Sequence, residues 1–407
     1  MFKPDKLLLL LIAVGLVSCT LRDPATPTAI SPADITDTPT ASRPAMPTIT
    51  PTVAPSATAT EELPTSTPEI SLLNDDVLRD QVDRLAAGFL RSTRNPGLSV
   101  SVVLRDPGSG QLKAMLLNYG TAFRDGADPV NSDTVYELGS ITKLFTGILL
   151  AEAVNAGEVR LTDPIQAYLP EGIQAPAYKQ IPISLVNLAT HRSGLPRDSY
   201  TDSFSDIYAW LNGFQLSLAP GSEYIYSNLG YAILGDILAR KANSDYGTLA
   251  FQSVSQPLGL LDTRETLTDE EKSRLARGYG YDGSPMDYEP DFGAMSSAGY
   301  LHSTLKDMTR FLIENMQPDS VPLSSSLELA QTMQSVGRNP GTGTGLGWEI
   351  DRPGTLDERL SKGGATLGFS SSISFAKDGS SGFILLTNGQ HIDSLALQMA
   401  RLLKELH

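Results

Sequence analysis

The sequence predicts an α/β protein of the α+β type, in which an antiparallel sheet flanked by helices carries an all-helical insertion. Apolar segments at 98–103 and 112–117 alternate like strands and are joined by a turn rich in Pro and Gly. Two further strand-like segments, 370–375 and 382–387, lie near the other end of the chain. Between the two pairs, mainly over 166–290, short helical patterns alternate with Pro and Gly. Strands at both ends and helices between them favour one sheet domain with an insertion.

The N-terminus has the pattern of an export signal. Lys3 and Lys6 precede an apolar run, 7–17, which is too short to span a bilayer and is typical of the h-region of a signal peptide. The run ends in Leu-Val-Ser-Cys, with the cysteine at 19, which resembles a bacterial lipobox. The resemblance implies that 1–18 is removed and that Cys19 carries a lipid anchoring the protein to the cell membrane, in an extracytoplasmic location. The alternative is a plain secretory signal with an incidental cysteine.

The segment 19–70 consists mainly of Thr, Pro, Ser and Ala. Such a composition does not build a packed core, so we expect a disordered tether that follows the lipidated cysteine. The folded domain is predicted to cover 71–407. Helical periodicity at 77–91 and 392–406 predicts helices near its two ends.

The composition excludes several classes of partner. A formal net charge of -15 argues against nucleic acid, because phosphate binding needs clustered Lys and Arg. Cys19 is the only cysteine, so disulfides and thiolate zinc sites are excluded from the domain. We expect neither a metal nor a cofactor, and a monomer that acts on a small-molecule or peptide substrate such as cell-wall peptide.

The most informative short motif pairs Ser140 with Lys143 where a helix is predicted to begin. Residues three apart share one helix face, so the hydroxyl and the amine can meet. An N-cap role for Ser140 is the alternative. The helix dipole disfavours a cation in the first turn, however, so a lysine there costs stability unless chemistry needs it. A serine hydroxyl needs such a neighbouring base to become a nucleophile.

Two further motifs extend this pair into a pattern. Tyr226-Ser-Asn228 precedes an apolar helix, and Lys362-Gly-Gly364 precedes the C-terminal strands. Taken singly, the tyrosine could be a helix-edge aromatic, the asparagine a cap and the lysine part of a turn. Together with Ser140-x-x-Lys143, in this order, the motifs resemble the serine β-lactamase and penicillin-recognising superfamily. The likeness is to its class C, D-alanyl-D-alanine carboxypeptidase and family VIII esterase branches, with supporting phrases at 161–164, 190–196, 257–260 and 345–348.

The resemblance implies a β-lactamase/transpeptidase-like fold and a role for each matching residue. Three residues would be catalytic. Ser140 matches the acylated nucleophile, Lys143 the lysine that helps to deprotonate it, and Tyr226 the general base that returns the proton to the leaving group.

The remaining matches would bind substrate. Asn228 matches the asparagine that binds the substrate's amide carbonyl, and Lys362 the basic residue on the strand beside the pocket. Gly364 follows on the same strand, and the Ala365 N–H matches the second oxyanion donor beside that of Ser140.

Simple electrostatics supports this assignment. A free tyrosine ionises near pH 10, too high for a base at neutral pH. Ammonium groups on Lys143 and Lys362 would lower the pKa of Tyr226, and we expect each lysine to lower the pKa of the other. His191 suggests a Ser-His-Asp site instead, but the chain has no Gly-x-Ser-x-Gly elbow. We expect His191 and His302 to be structural, and the Gly-rich run 341–345 to be a flexible loop.

The sequence thus predicts an extracytoplasmic serine hydrolase that works through an acyl-enzyme on Ser140. Where many relatives have Lys-Thr-Gly, this chain has Gly363 in the middle position and lacks a hydroxyl that helps to bind a substrate carboxylate. That departure weakens the case for efficient β-lactam hydrolysis and leaves carboxylesters and D-Ala-type peptides as substrates. The alternatives are a β-lactamase and a catalytically weak sensor that binds penicillin-like ligands.

Overall fold

The structure of the chain is a computed structural model that describes residues 69–406 apart from 200, 202, 288–292 and 321. The predicted signal segment 1–18, Cys19 and nearly all of the predicted tether lie outside the described residues. Within the described part, no helix is both long enough and apolar enough to cross a bilayer.

The helices and strands of the described residues are as follows. The α-helices are α1 Asp76–Thr93, α2 Thr142–Asn155, α3 Leu185–Ala189, α4 Phe204–Leu211, α5 Asn228–Lys241, α6 Tyr246–Ala250, α7 Asp269–Ser273, α8 Ser296–Gly299, α9 Leu305–Met316, α10 Ser324–Gln331 and α11 Asp393–Glu405. The strands are β1 Gly97–Arg105, β2 Leu112–Gly120, β3 Val135–Glu137, β4 Ala177–Tyr178, β5 Ile181–Pro182, β6 His302–Thr304, β7 Ser335–Val336, β8 Thr342–Thr344, β9 Glu349–Asp351, β10 Arg359–Ala365, β11 Ser370–Ala376 and β12 Ser381–Thr387.

The central element is an antiparallel sheet with the order β2-β1-β12-β11-β10-β9-β8-β7. Strands β1 and β12 pair directly, with Leu98 opposite Thr387, so the two predicted strand pairs from the ends of the domain form one continuous sheet. Sheets need both faces covered when both are apolar, and side chains alternate between the faces along each strand. The mixed helix-and-antiparallel-sheet architecture predicted from the sequence is therefore confirmed.

Two hydrophobic cores lie on opposite faces of this sheet. On β12, Phe383 and Leu385 belong to one core, whereas Ile384 and Leu386 belong to the other. The first core is closed by the terminal helices α1 and α11, whose apolar positions recur at helical spacing. The second, larger core contains α2, which is buried on every side over its first ten residues. A helix that is apolar all round is stable only in such an interior position.

The structure refines two expectations. The predicted helical insertion does carry α3 to α7, but it also contains the two-stranded hairpin of β4 and β5, with Tyr178 opposite Ile181. The prediction that the Gly-rich run 341–345 is a flexible loop is wrong. Within that run, Thr342–Thr344 forms β8 between β7 and β9. Pairing with a strand on each side supplies the backbone hydrogen bonds that the Gly-rich composition did not suggest.

Candidate active site

Ser140 lies in a one-turn 3-10 helix, Gly139–Ile141, that leads directly into α2. The N-cap positions of this turn and of α2 are Leu138 and Ile141, so Ser140 caps neither helix. Its hydroxyl is hydrogen-bonded to the Tyr226 hydroxyl at 2.6 Å instead. The half-buried serine thus lies at the positive end of a buried helix, where a developing negative charge is stabilised.

Two glycines allow strand β10 to pass directly against the Ser140 turn. A Cβ on Gly364 would lie 2.0 Å from the Leu138 carbonyl oxygen, and a Cβ on Gly139 would lie 2.4 Å from the Ala365 nitrogen. Gly139 also has a φ of 54°, which side-chain-bearing residues rarely adopt. This close approach places the backbone of Ala365 beside that of Ser140. The two N–H groups predicted to bind an oxyanion therefore belong to adjoining backbone segments.

Lys143 contacts Ser140, Asn228 and the backbone of Ala298. It is fully buried and donates hydrogen bonds to Ser140 Oγ at 3.1 Å and to Asn228 Oδ1 at 2.8 Å. It also donates to the backbone carbonyl of Ala298. A buried ammonium needs such partners, because desolvation of an unpaired charge is costly. The structure therefore brings Ser140, Lys143, Tyr226 and Asn228 into one hydrogen-bonded group.

The start of helix α5 holds Tyr226 and Asn228 in place. Ser227, between them, is the N-cap of α5, and its Oγ accepts a hydrogen bond from the Gly230 N–H at 2.8 Å. The same Oγ donates to the Pro196 carbonyl at 2.6 Å. The cap is therefore Ser227, which leaves the side chain of Asn228 free to contact Lys143 on one side and Asp198 on the other.

Lys362 supplies a second cation near Tyr226. The lysine is buried, and its Nζ lies 5.5 Å from the centre of the Tyr226 ring and 3.2 Å from Glu349 Oε1. Lys143 Nζ lies 5.0 Å and Arg197 Cζ 5.2 Å from the same ring centre. The tyrosine is thus surrounded by three positive charges.

These charges change the ionisation of the site. Burial alone would raise the pKa of Tyr226, but Lys143 and Lys362 outweigh it and lower that pKa to about 8. Burial lowers the pKa of Lys143 to about 8, and the charge on Lys362 acts in the same direction. The net pKa shift of Lys362 is in the opposite direction. Burial favours its neutral form, but Glu349 and Tyr226 raise its pKa to about 12.

The two hydrogen-bonded residues Ser140 and Tyr226 each line a cavity. A cavity of about 100 Å³ is lined by Ser140, Asn228 and Ala365. A larger one of about 440 Å³ is lined by Tyr226 and by two cations, Arg197 and Arg338. Ser140 therefore borders the smaller cavity and Tyr226 the larger one.

The middle of the Lys362–Gly364 stretch is open. Gly363 is exposed, and a Cβ built on it would meet nothing within 4 Å. The missing side chain thus leaves space rather than preserving a tight contact, unlike the neighbouring Gly364.

Sequence reasoning missed several neighbours of the site. Glu349 contacts Lys362, Asp198 Oδ1 accepts from Asn228 Nδ2 at 2.6 Å, and Arg197 covers the Tyr226 ring. Glu349 directly follows the phrase 345–348, and Asp198 lies two residues after the phrase 190–196. The two phrases were the available sequence signals for these residues. The contacts join residues far apart in the chain, so the phrases did not indicate them.

Neither histidine of interest contacts Ser140. His191 Nδ1 accepts from the Ser227 N–H at 3.1 Å, and His302 Nδ1 lies 3.0 Å from the Glu265 carbonyl. Among the residues the structure describes, no group of three or more His, Cys, Asp or Glu side chains is placed to hold a metal ion.

The fold and the Ser-Lys-Tyr group define a serine hydrolase of the β-lactamase-related type. Within that class, the chain belongs to the β-lactamase family, whose family model, described as Beta-lactamase, matches residues 82–407.

Individual relatives agree with this placement. A "Beta-lactamase" of Pseudomonas fluorescens is 28% identical over 279 residues, which are 67% of this chain and 74% of that protein. The "D-alanyl-D-alanine-carboxypeptidase/endopeptidase AmpH" of Escherichia coli K12 is 32% identical over 261 residues, 57% of this chain and 66% of that protein.

Solved structures show the same fold. A "Beta-lactamase/D-alanine Carboxypeptidase" from Yersinia pestis superposes with a TM-score of 0.71 at 26% identity, covering 82% of this chain and 99% of that one. The structure described as "A class C beta-lactamase" gives a TM-score of 0.73 at 22% identity, covering 82% of this chain and 98% of that one, and supports the fold alone.

Proposed function

We propose that this protein is an extracytoplasmic hydrolase that forms an acyl-enzyme on Ser140 and cleaves D-Ala-type peptides. The observation that carries the proposal is the short Ser140–Tyr226 hydrogen bond next to Lys143. A tyrosine whose pKa is lowered to about 8 is partly ionised at neutral pH, so it can accept the serine proton. The signal segment and Cys19 support an outer-surface, lipid-anchored location.

The first half of the reaction forms the acyl-enzyme. Ionised Tyr226 takes the Ser140 proton as Oγ attacks the substrate carbonyl carbon, and the carbonyl electrons move to the oxygen. The N–H groups of Ser140 and Ala365 bind that oxyanion. The oxyanion then collapses, the bond to the leaving nitrogen or oxygen breaks, and Tyr226 returns the proton to it. The second half repeats these steps with water, which releases the acid and restores Ser140.

The two cavities give these groups separate sites. The acyl side of the substrate fits the cavity lined by Asn228 and Ala365, where the asparagine amide can meet a carbonyl. The leaving group must lie where Tyr226 can protonate it, which is the larger cavity that this tyrosine lines.

The charges of the larger cavity favour an anionic leaving group. Of its acidic side chains, Glu349 is paired with Lys362 and Asp351 with Arg352. Arg338 lines the same cavity and makes no ion pair with any described residue. A terminal carboxylate would neutralise it, and arginine binds carboxylates in a bidentate geometry. We therefore favour a leaving group such as D-alanine over the neutral alcohol of a carboxylester.

A β-lactamase is the second candidate, because relatives in this family carry that name. Gly363 argues against efficient β-lactam turnover, since it lacks the hydroxyl that many relatives supply. A carboxylesterase remains the third.

Two experiments test the proposal on the purified protein. Covalent labelling by a fluorophosphonate or a fluorescent penicillin should occur and be lost in Ser140→Ala. Labelling by neither probe would overturn the hydrolase proposal and favour a sensor.

A turnover panel then separates the substrates. We expect acyl-D-Ala-D-Ala peptides to be cleaved faster than their C-terminal amides, short-chain esters or nitrocefin. Arg338→Gln should raise KM for the free-acid peptide alone, and Arg160→Gln, an arginine paired with Asp163 and lining neither cavity, serves as the matched control. Faster turnover of nitrocefin or of esters would instead select the second or third candidate.

A further inference from the structure

The buried side chain of His191 packs against the ring of Tyr226. The imidazole is 1% exposed, and its ring centre lies 4.3 Å from that of Tyr226 with the planes tilted by 32°. Tyr231 and Tyr224 close the other sides at 5.1 Å and 5.4 Å. His191 therefore has aromatic neighbours on three sides, one of which carries the hydroxyl that contacts Ser140.

His191 also accepts hydrogen bonds from the residues that precede and follow Tyr226 in the chain. Its backbone carbonyl accepts from the Ile225 N–H at 2.7 Å, and its Nδ1 accepts from the Ser227 N–H at 3.1 Å. Residues 225 and 227 are the two neighbours of Tyr226. One residue thus holds the backbone before and after the tyrosine and also contacts the face of its ring.

The backbone of His191 is strained to make these contacts. Its φ is 58°, in the left-handed region that residues with side chains rarely adopt. Such a conformation persists only where the surrounding structure enforces it, and it is most frequent at functional sites.

The hydrogen bonding also determines the charge of the ring. Nδ1 accepts a hydrogen bond, so it carries no proton, and the proton of the neutral imidazole is on Nε2. Nε2 is buried without a hydrogen-bond partner among the described residues. Burial, together with Lys362 and Lys143, lowers the pKa of His191 well below its usual range. The ring is therefore a neutral group beside a tyrosine that must ionise.

We propose that His191 is a positioning residue for Tyr226, holding the tyrosine hydroxyl at hydrogen-bond distance from Ser140. The inference rests on the proposed role of Tyr226 as the proton acceptor. His191 itself touches neither Ser140 nor any atom that reacts, so it acts only through the tyrosine. A shift of about 1 Å in a catalytic group can cost about 100-fold in rate. A gain of that size explains why the fold keeps His191 in a strained backbone conformation.

Two substitutions separate the contributions. His191→Asn keeps an acceptor near Nδ1 and tolerates the left-handed backbone, but it removes the ring. His191→Phe keeps a ring but leaves the Ser227 N–H unpaired and strains the backbone further. We expect the acylation rate constant to fall about 10-fold in the first and about 100-fold in the second, with little change in probe affinity.

The matched control is His302→Asn. His302 is equally buried, bonds a backbone carbonyl through Nδ1 and lies in strand β6, with no ring contact to Tyr226. We expect it to lower the melting temperature as His191→Asn does, while acylation stays at the wild-type rate. A fall in acylation as large as that of His191→Asn would show that general loss of packing explains the effect.

A double-mutant cycle tests whether His191 acts through Tyr226. Acylation rates of the full-length protein are measured with a fluorescent penicillin for wild type, His191→Asn, Tyr226→Phe and the double variant. We expect His191→Asn to have no further effect in the Tyr226→Phe background. Wild-type acylation in His191→Asn, or an undiminished effect in the double variant, would overturn the positioning role. A wild-type rate in Tyr226→Phe would instead refute the proposed role of the tyrosine, and the inference with it.

Discussion

The most direct test of the electrostatic reasoning is Lys362→Met. Lys362 is 2% exposed, and methionine has a similar length, so the change removes a charge while keeping the packing. The only acidic partner of the lysine among the described ion pairs, Glu349, has a side chain 56% exposed and can be solvated instead. The substitution therefore leaves no buried charge without a partner.

The expected pKa shift of Tyr226 in Lys362→Met follows from the distance between the two side chains. The Lys362 Nζ lies 5.5 Å from the Tyr226 ring centre, and Coulomb's law at an effective dielectric constant of about 20 gives about 3 kcal/mol for two unit charges at that separation. One pKa unit corresponds to about 1.4 kcal/mol, so the pKa of Tyr226 should rise by about 2 units. It stands at about 8 with the lysine present.

The sign follows because ionised Tyr226 is the active base. A cation favours the phenolate, so its removal raises the pKa and moves the acidic limb of the kcat/KM profile to higher pH. At pH 7 the ionised fraction, and with it the rate, should fall about 100-fold, and the rate should recover as the pH approaches 10. The apparent pKa of this acidic limb belongs to Tyr226 and Lys143 together, because the two groups titrate as a coupled pair.

The assay is the pH dependence of kcat/KM, or of the acylation rate, between about pH 6 and 10. Glu349→Gln is the control, because it removes the negative partner and should move the limb slightly in the opposite direction. If Lys362→Met lowers the rate equally at every pH, the lysine binds substrate and does not set the pKa of Tyr226.

Four other outcomes can be checked. Tyr226→Phe should slow acylation by at least about 100-fold in stopped-flow measurements, the usual scale for losing a general base, and a near-normal rate would mean that the lysine suffices. Gly364→Ala should lower the free energy of unfolding by about 1–3 kcal/mol in chemical denaturation because its Cβ overlaps neighbouring atoms, whereas Gly363→Ala should change it little; equal effects would contradict the packing. Gly363→Thr should improve turnover of nitrocefin and other carboxylate-bearing substrates, and no gain would show that the hydroxyl is not limiting. Limited proteolysis should release a stable fragment starting near Ser71, which protection of 24–69 would contradict.

Local patterns were enough to predict part of this molecule. The spacing of Ser140 and Lys143 is a property of one helix turn, so their hydrogen bond follows from the helix itself. The strand pairs at 98–117 and 370–387 are hairpins between neighbours in the chain, and alternation with a turn is sufficient to indicate them. The role of Tyr226 came from resemblance, because a tyrosine two residues before an asparagine has no distinctive pattern of its own.

Other features depended on segments that are far apart in the chain. Glu349 and Lys362 lie on the neighbouring strands β9 and β10, and their contact reverses the expected pKa shift of the lysine. The effect of one charged residue on the pKa of another depends on the distance between them, and the amino-acid composition does not contain that distance. Likewise β8 forms because two partners complete its hydrogen bonds, although its own residues suggest a loop.

By itself the sequence determined the antiparallel sheet with its helical insertion, the serine-lysine pair on one helix face and the chemistry available to them. Only the tertiary structure decided which groups surround the tyrosine. Ser140 and Tyr226 are 86 residues apart, yet their hydroxyls meet at 2.6 Å. His191, 35 positions before Tyr226 in the numbering, packs against the ring of the same tyrosine with the ring centres 4.3 Å apart. Helix turns and hairpins arise from contacts between near neighbours, whereas the ionisation of a buried site is the sum of charges brought together by the whole fold.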